Sequence, residues 1–154
     1  MLEIRKLQMS DNNALYTIYS NKKITKPAGF LPYSFLLELS KEMPEWIKTH
    51  YAICLDKKLI GVITIDPIDL HSVSLGIMLH ENFHHQGYGK QALLQYFEIA
   101  KKQNIKTIYA DCLLKNIASQ KLLESCEFEF IKEFKRPYPA FIDLKTCKLY
   151  QKSL

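Results

Sequence analysis

The sequence predicts a single mixed α/β domain over residues 1–154, and three observations carry that expectation. Residues 72–103 read as a strand, a short loop, a glycine-spaced turn and an amphipathic helix. Residues 51–65 read as a β-hairpin. No internal repeat, low-complexity tract or linker divides the 154 residues, a length that buries a sizeable core in one domain.

Taken in order, Leu2 to Leu7 alternates and forms a first strand. Ser10 or Asp11 then caps a helix carrying Leu15, Ile18 and Tyr19. Asn21 to Pro32, with two lysines side by side, a glycine and two prolines, is expected to be a loop. A second helix is expected from about Tyr33 to Glu42, ended by Pro44. Tyr51–Leu55 and Leu59–Ile65 pair across Asp56-Lys57-Lys58, and Asp66-Pro67 is expected to break the hairpin.

Val73, Leu75, Ile77 and Leu79 then share one face of a strand. Beyond Gly87-Tyr88-Gly89, residues Ala92, Leu93, Tyr96, Phe97 and Ala100 recur at helical spacing. Lys106–Leu113 is a further strand, and Asn116 caps a short helix with Ala118, Leu122 and Leu123 inward. Two strands close the chain, near Glu127–Lys135 and Ile142–Tyr150.

Glycines at a helix start let backbone approach a ligand, and the free N–H groups and dipole there attract an anion. That combination fits a phosphate better than a metal or a base. Apolar residues make up 47% and charged residues 24% of the chain, the balance of a soluble globule. No window has the apolar length of a membrane helix. The polar start MLEIRKLQMSDNN does not resemble a signal peptide, so a cytoplasmic location is expected. Cys54, Cys112, Cys126 and Cys147 lie in or beside apolar runs without CxxC spacing and are expected to be reduced core thiols. The net charge of +5 is spread over lysines that form no run, which argues against nucleic acid as the partner. His84 and His85 lack a third ligand at suitable spacing, so no metal is expected.

The order β-α-α-β-β-β-α-β-α-β-β with its glycine turn resembles the GNAT superfamily of N-acetyltransferases. His84-His85-Gln86-Gly87-Tyr88-Gly89-Lys90 is similar to the acyl-CoA pyrophosphate loop, Q/R-x-x-G-x-G/A, although His84 stands where Gln or Arg is usual. Asn116-Ile117-Ala118-Ser119-Gln120-Lys121-Leu122-Leu123-Glu124-Ser125-Cys126-Glu127-Phe128 resembles the N-x-x-S-x-x-L-L-E-K-x-G-F segment of the ribosomal-protein N-terminal acetyltransferase branch. Glu127 replaces its glycine, and the turn there is expected to take another geometry. Phe141-Ile142-Asp143 is similar to that branch's closing strand.

The resemblance implies a central, mostly antiparallel twisted sheet of six to seven strands flanked by about four helices. It implies acetyl-CoA as co-substrate and an amine acceptor, in a monomer or homodimer without membrane attachment. Cofactor contacts would come from Ile77, Met78 and Leu79 along the pantetheine arm, and from His84, His85, Gln86, Gly87, Tyr88, Gly89 and Lys90 at the pyrophosphate. Asn116 and Ser119 would complete them. Leu79 or its neighbour would supply an oxyanion N–H.

Ser119 would protonate the departing thiolate; its alternative role is to cap or pack its helix. Asp111, five residues before Asn116, is the candidate general base; its alternative is a salt bridge. Phe30, Tyr33, Tyr138 and Phe141 would line the acceptor cleft. Lysines and aromatics in segments 21–45 and 135–142 point to an acceptor of some acidic or aromatic character. Two further readings stay open: a non-catalytic acyl-CoA sensor or interaction module, and, on positive charge alone, acetylation of aminoacyl-tRNA.

Overall fold

The structure, a computed structural model, describes all residues 1–154. Seven strands form one sheet: β1 (Leu2–Lys6), β2 (His50–Leu55), β3 (Lys58–Pro67), β4 (Ser72–Leu79), β5 (Thr107–Leu113), β6 (Glu129–Arg136) and β7 (Lys145–Ser153). Their order is β1-β2-β3-β4-β5-β7-β6. Every pairing is antiparallel except β4 with β5. The helices are α1 (Asn12–Tyr19), α2 (Lys22–Thr25), α3 (Leu36–Thr49), α4 (Tyr88–Lys102) and α5 (Ile117–Ser125).

Alternation along the strands sends side chains to two cores. Ile63, Leu75, Ile108, Ala110 and Tyr150 meet Leu93, Tyr96 and Phe97 of α4 and Leu123 of α5. Ala52, Val62 and Met78 meet Leu15 and Ile18 of α1 and Leu39 and Met43 of α3 on the opposite face. The hairpin between β2 and β3 turns on Asp56 and Lys57, both with positive φ (47° and 71°), the two-residue geometry that matches strand twist. At the sheet margin, the Gln95 amide accepts from Ile4 N–H at 3.0 Å and donates to Leu2 O at 2.9 Å. A side chain thus satisfies backbone groups that an edge strand leaves open.

Several expected boundaries are corrected. The segment expected as loop contains α2, which Asn21 caps by accepting from Lys23 N–H at 3.0 Å. The next helix starts at Leu36 and runs through Pro44 to Thr49. A proline inside a helix costs about 3 kcal/mol, yet packing on both sides of it outweighs that cost. Met43 is fully buried, and Trp46 lies 4.8 Å from Tyr19 and stacks on His50 at 4.9 Å. Asp66 and Pro67 do not break β3; they pair with Ser74 and Val73. Neither Ser10 nor Asp11 provides the side-chain cap expected for α1. The Asp11 carboxylate instead takes both Arg5 guanidinium nitrogens at 2.8 Å and the Gln8 N–H at 2.8 Å. Burial alone would raise its pKa, but these donors outweigh burial and hold it below the usual carboxylate value.

Glu127 is left-handed after all, with φ +64°. It follows the C-terminus of α5, where Phe128 N–H donates to Leu123 O and Glu127 N–H donates to Glu124 O, both at 3.0 Å. That is the Schellman arrangement, which favours glycine at this position. Glu127→Gly is therefore expected to stabilise the protein by about 1 kcal/mol, raising the melting temperature by roughly 2–4 °C; thermal unfolding measures it.

His50 supplies a pH prediction. Burial lowers its pKa to about 4, with Lys6 adding to the effect and the Trp46 carbonyl opposing it. The unfolded chain binds the extra proton first, so this stabilisation is complete above about pH 6.5 and is lost as pH falls towards 4, roughly 3 kcal/mol in all. Urea midpoints at pH 7 and pH 4.5 are expected to fall further apart in the wild type than in His50→Gln.

Candidate active site

The loop before α4 is shaped by backbone conformation. His85 and Gly87 are left-handed, with φ of 59° and 80°. The N–H groups of His85, Gln86, Gly87, Tyr88, Gly89 and Lys90 find no acceptor in the protein. Six successive donors at the head of a fifteen-residue helix make an anion cradle, to which the helix dipole adds.

The two glycines serve different ends. A Cβ on Gly87 would have only Gln91 Nε2, at 4.0 Å, for a neighbour, so that glycine is needed for its φ. A Cβ on Gly89 would meet Leu122 at 3.2 Å and Leu79 at 3.5 Å, so that glycine lets α4 sit close to α5 and β4. Gln86 Nε2 donates to Asn82 O at 2.9 Å and His84 Nε2 bonds Leu79 O at 2.8 Å, pinning the loop to the end of β4. No cluster of three or more His, Cys, Asp or Glu residues is placed to hold a metal.

Beside the cradle the sheet opens. β4 and β5 pair only at Ser72–Ser74 with Thr107–Tyr109, so their C-terminal halves diverge. His80 N–H donates to Ile60 O at 2.8 Å. Alternation in an antiparallel ladder then turns the Met78 backbone groups towards β3 and those of Ile77 and Leu79 towards the opening. Of the three residues expected along the pantetheine arm, two thus present backbone to the cleft. Met78 presents neither backbone nor side chain there, since its side chain is buried in the α1–α3 core.

Across the opening, Asn116 Oδ1 accepts from Ser119 N–H at 3.2 Å, capping α5, while its Nδ2 donates to Pro27 O at 3.1 Å. One side chain therefore both starts α5 and ties down the loop after α2. The Ser119 hydroxyl has no partner within the protein and is half-buried.

Asp111 sits on the α1–α3 face of β5, because Ala110 and Cys112 occupy the other core. Its Oδ1 accepts from Arg136 at 3.1 Å and from the Tyr138 hydroxyl at 2.9 Å. The ion-pair alternative is thus realised in the structure. The Arg136 guanidinium lies 3.9 Å from the Tyr138 ring centroid. Tyr138 is buried, 4% exposed, and burial raises its pKa well above the ordinary tyrosine value. Arg136 had no sequence signal, since it lies 25 residues from Asp111 and is brought there by the β5-β7-β6 order.

The four residues expected in the acceptor cleft divide. Tyr138 lies against Gly29, and Ala140 N–H donates to Gly29 O at 3.0 Å, which joins the loops carrying Phe30, Tyr138 and Phe141. Phe141 packs on Leu113, Tyr138 and Cys147, whereas Phe30 is exposed. Tyr33 belongs to a separate aromatic group, 6.1 Å from both Tyr19 and Trp46. All four cysteines are free and buried. Burial pushes the Cys112 thiol up to about 12 and also raises Cys126, which keeps both protonated and poor nucleophiles.

An anion cradle at a helix head thus stands beside a splayed pair of parallel strands. Residues 1–129 match the family model of the acetyltransferase (GNAT) domain. The chain belongs to the GNAT acetyltransferase family. Comparison with curated protein sequences gives no match. Among solved structures it is similar to the Salmonella typhimurium acetyl transferase that modifies the N-terminal serine of 50S ribosomal subunit protein L7/L12. That likeness has 21% identity and TM-score 0.87, covering 99% of this chain and 95% of that one. It is also similar to Vibrio cholerae spermidine N-acetyltransferase in complex with CoA and spermine, with 18% identity, TM-score 0.87 and coverage of 99% and 95%. A Bacillus anthracis GNAT acetyltransferase matches with 19% identity, TM-score 0.86 and coverage of 99% and 94%. These likenesses establish the fold. No helix of the protein is long and apolar enough to cross a membrane.

Proposed function

We propose that the protein is an acetyl-CoA-dependent N-acetyltransferase that moves the acetyl group to a primary amine, a protein N-terminus or a small-molecule amine, by direct attack in a ternary complex. The observation that carries this reading is the run of six unsatisfied N–H groups from His85 to Lys90, opening onto the divergence of β4 and β5. The pyrophosphate of CoA rests on those donors. The backbone of Ile77 bonds the amides of the pantetheine arm as a neighbouring strand would. The Leu79 N–H then lies where charge develops on the thioester oxygen.

The amine lone pair attacks the thioester carbon, a C–N bond forms and the C–S bond breaks. The Ser119 hydroxyl, free of other partners, delivers a proton to the leaving sulfur directly or through water and recovers one from water. Asp111 Oδ1 is occupied by Arg136 and the Tyr138 hydroxyl. Asp111 Oδ2, which accepts from no protein donor, orients the incoming ammonium, and water carries its proton away.

The engagement of Asp111 also favours a second reading, a non-catalytic acyl-CoA sensor. Thiol release from acetyl-CoA with a panel of amines separates the two. Turnover with at least one acceptor class supports the enzyme; CoA binding without turnover by the wild type supports the sensor. Absence of calorimetric heat with CoA removes both.

A further inference from the structure

Three segments meet around the mouth of the cleft on the acceptor side, and hydrogen bonds fix their proximity. Asn116 Nδ2 reaches Pro27 O, Ala140 N–H reaches Gly29 O, and Leu114 N–H donates to Thr146 O at 3.0 Å. Lys26 adjoins the first contact, Lys115 adjoins Asn116, and Lys145 adjoins Thr146. Lys22 and Lys23 stand on α2, one turn before Lys26. None of these five lysines enters an ion pair. Lys22, Lys23, Lys26 and Lys115 are exposed, and Lys145 is half-buried with its ammonium 5.0 Å from the Phe141 ring centroid.

Arg136 and Asp111 cancel each other. Asp143 is the remaining carboxylate within these segments, and Glu81 borders them, held by Asn21 Nδ2 at 3.3 Å. Five lysines against Asp143 and Glu81 leave this rim a net charge of +3. Lysines far apart in the sequence thus stand on segments joined in space. Phe30, Leu31, Ile142 and Leu144 are exposed on two of the same segments.

We propose that the acceptor is an acidic peptide: an N-terminal amine followed within a few residues by aspartate or glutamate, with the peptide's carboxylates held by Lys22, Lys23, Lys26, Lys115 and Lys145. This rests on the transferase reading above. A polycationic acceptor would be repelled by the same rim, and like-charge juxtaposition disfavours a wrong partner as surely as attraction selects the right one. Steering of this kind acts on encounter and KM and weakens with salt.

The test compares kcat/KM for one synthetic peptide bearing three glutamates after its N-terminal residue, the same peptide with glutamines, spermine and an aminoacyl-tRNA. Measurements are made at low and at physiological salt. Expected is a preference of about 10-fold for the acidic peptide over its amide counterpart at low salt, carried by KM. The preference shrinks with salt and in the triple variant Lys22→Gln/Lys23→Gln/Lys26→Gln. Calorimetric CoA affinity, unchanged in that variant, certifies its fold. Equal values for the two peptides overturn the proposal, as does a preference for spermine or for the tRNA. Acetylation of none of them with CoA still bound overturns the transferase reading as well, an outcome distinct from indifference to charge.

Discussion

Lys90→Glu is expected to weaken CoA binding by at least about 10-fold while leaving the unliganded protein as stable as before or slightly more so. Lys90 is the third residue of α4, exposed and without an ion pair, so the substitution disturbs no contact. An acidic residue in a first turn complements the helix dipole and adds about 0.3–1 kcal/mol. The same carboxylate faces any diphosphate seated on the neighbouring N–H groups. Two unit charges about 6 Å apart interact by about 0.7 kcal/mol even in bulk water, so reversing one charge against a diphosphate is worth roughly 3 kcal/mol before screening. Calorimetric CoA binding and the melting temperature without ligand should therefore move in opposite senses, and the binding loss should shrink as salt rises. Equal CoA affinity in the variant and the wild type would falsify the diphosphate assignment.

Ser119→Ala is expected to lower kcat by about 100-fold, at the lower end of what a positioned proton donor contributes, with CoA affinity and melting temperature unchanged. The hydroxyl makes no hydrogen bond within the protein, so its removal leaves no buried group unsatisfied. The neighbouring Asn116→Ala behaves in the opposite way. It loses the cap on Ser119 N–H and the bond to Pro27 O, which costs about 1 kcal/mol of stability. If Ser119 served only its helix, the two variants would look alike in thermal unfolding and Ser119→Ala would turn over at nearly the wild-type rate. Single-turnover kinetics beside differential scanning settles which holds.

Much of this architecture was legible in the residues because its causes are local. Alternation in Val73–Leu79, helical spacing from Ala92 to Ala100 and the Asn116 cap each need only neighbours in sequence, and all three stand where expected. The glycine turn was legible for the same reason, since φ at Gly87 is a property of one residue. Boundaries failed where packing overrode propensity. Pro44 did not end α3, because Trp46 beyond it has Tyr19 and His50 to pack against. Glu127 kept the left-handed turn, because the carbonyls of Leu123 and Glu124 require it.

By itself the sequence determined most of the elements and the glycine turn before α4, consequences of short-range periodicity and backbone preference. Tertiary structure alone decided which groups meet. Strand order places β7 beside β5 and β6 outside it, which delivers Arg136 and Tyr138 to Asp111. The same closure brings Lys26, Lys115 and Lys145, scattered along the chain, to one rim. Distance along a chain says nothing about distance in space once a sheet has crossed over, so the charge pattern of the cleft had to wait for the fold.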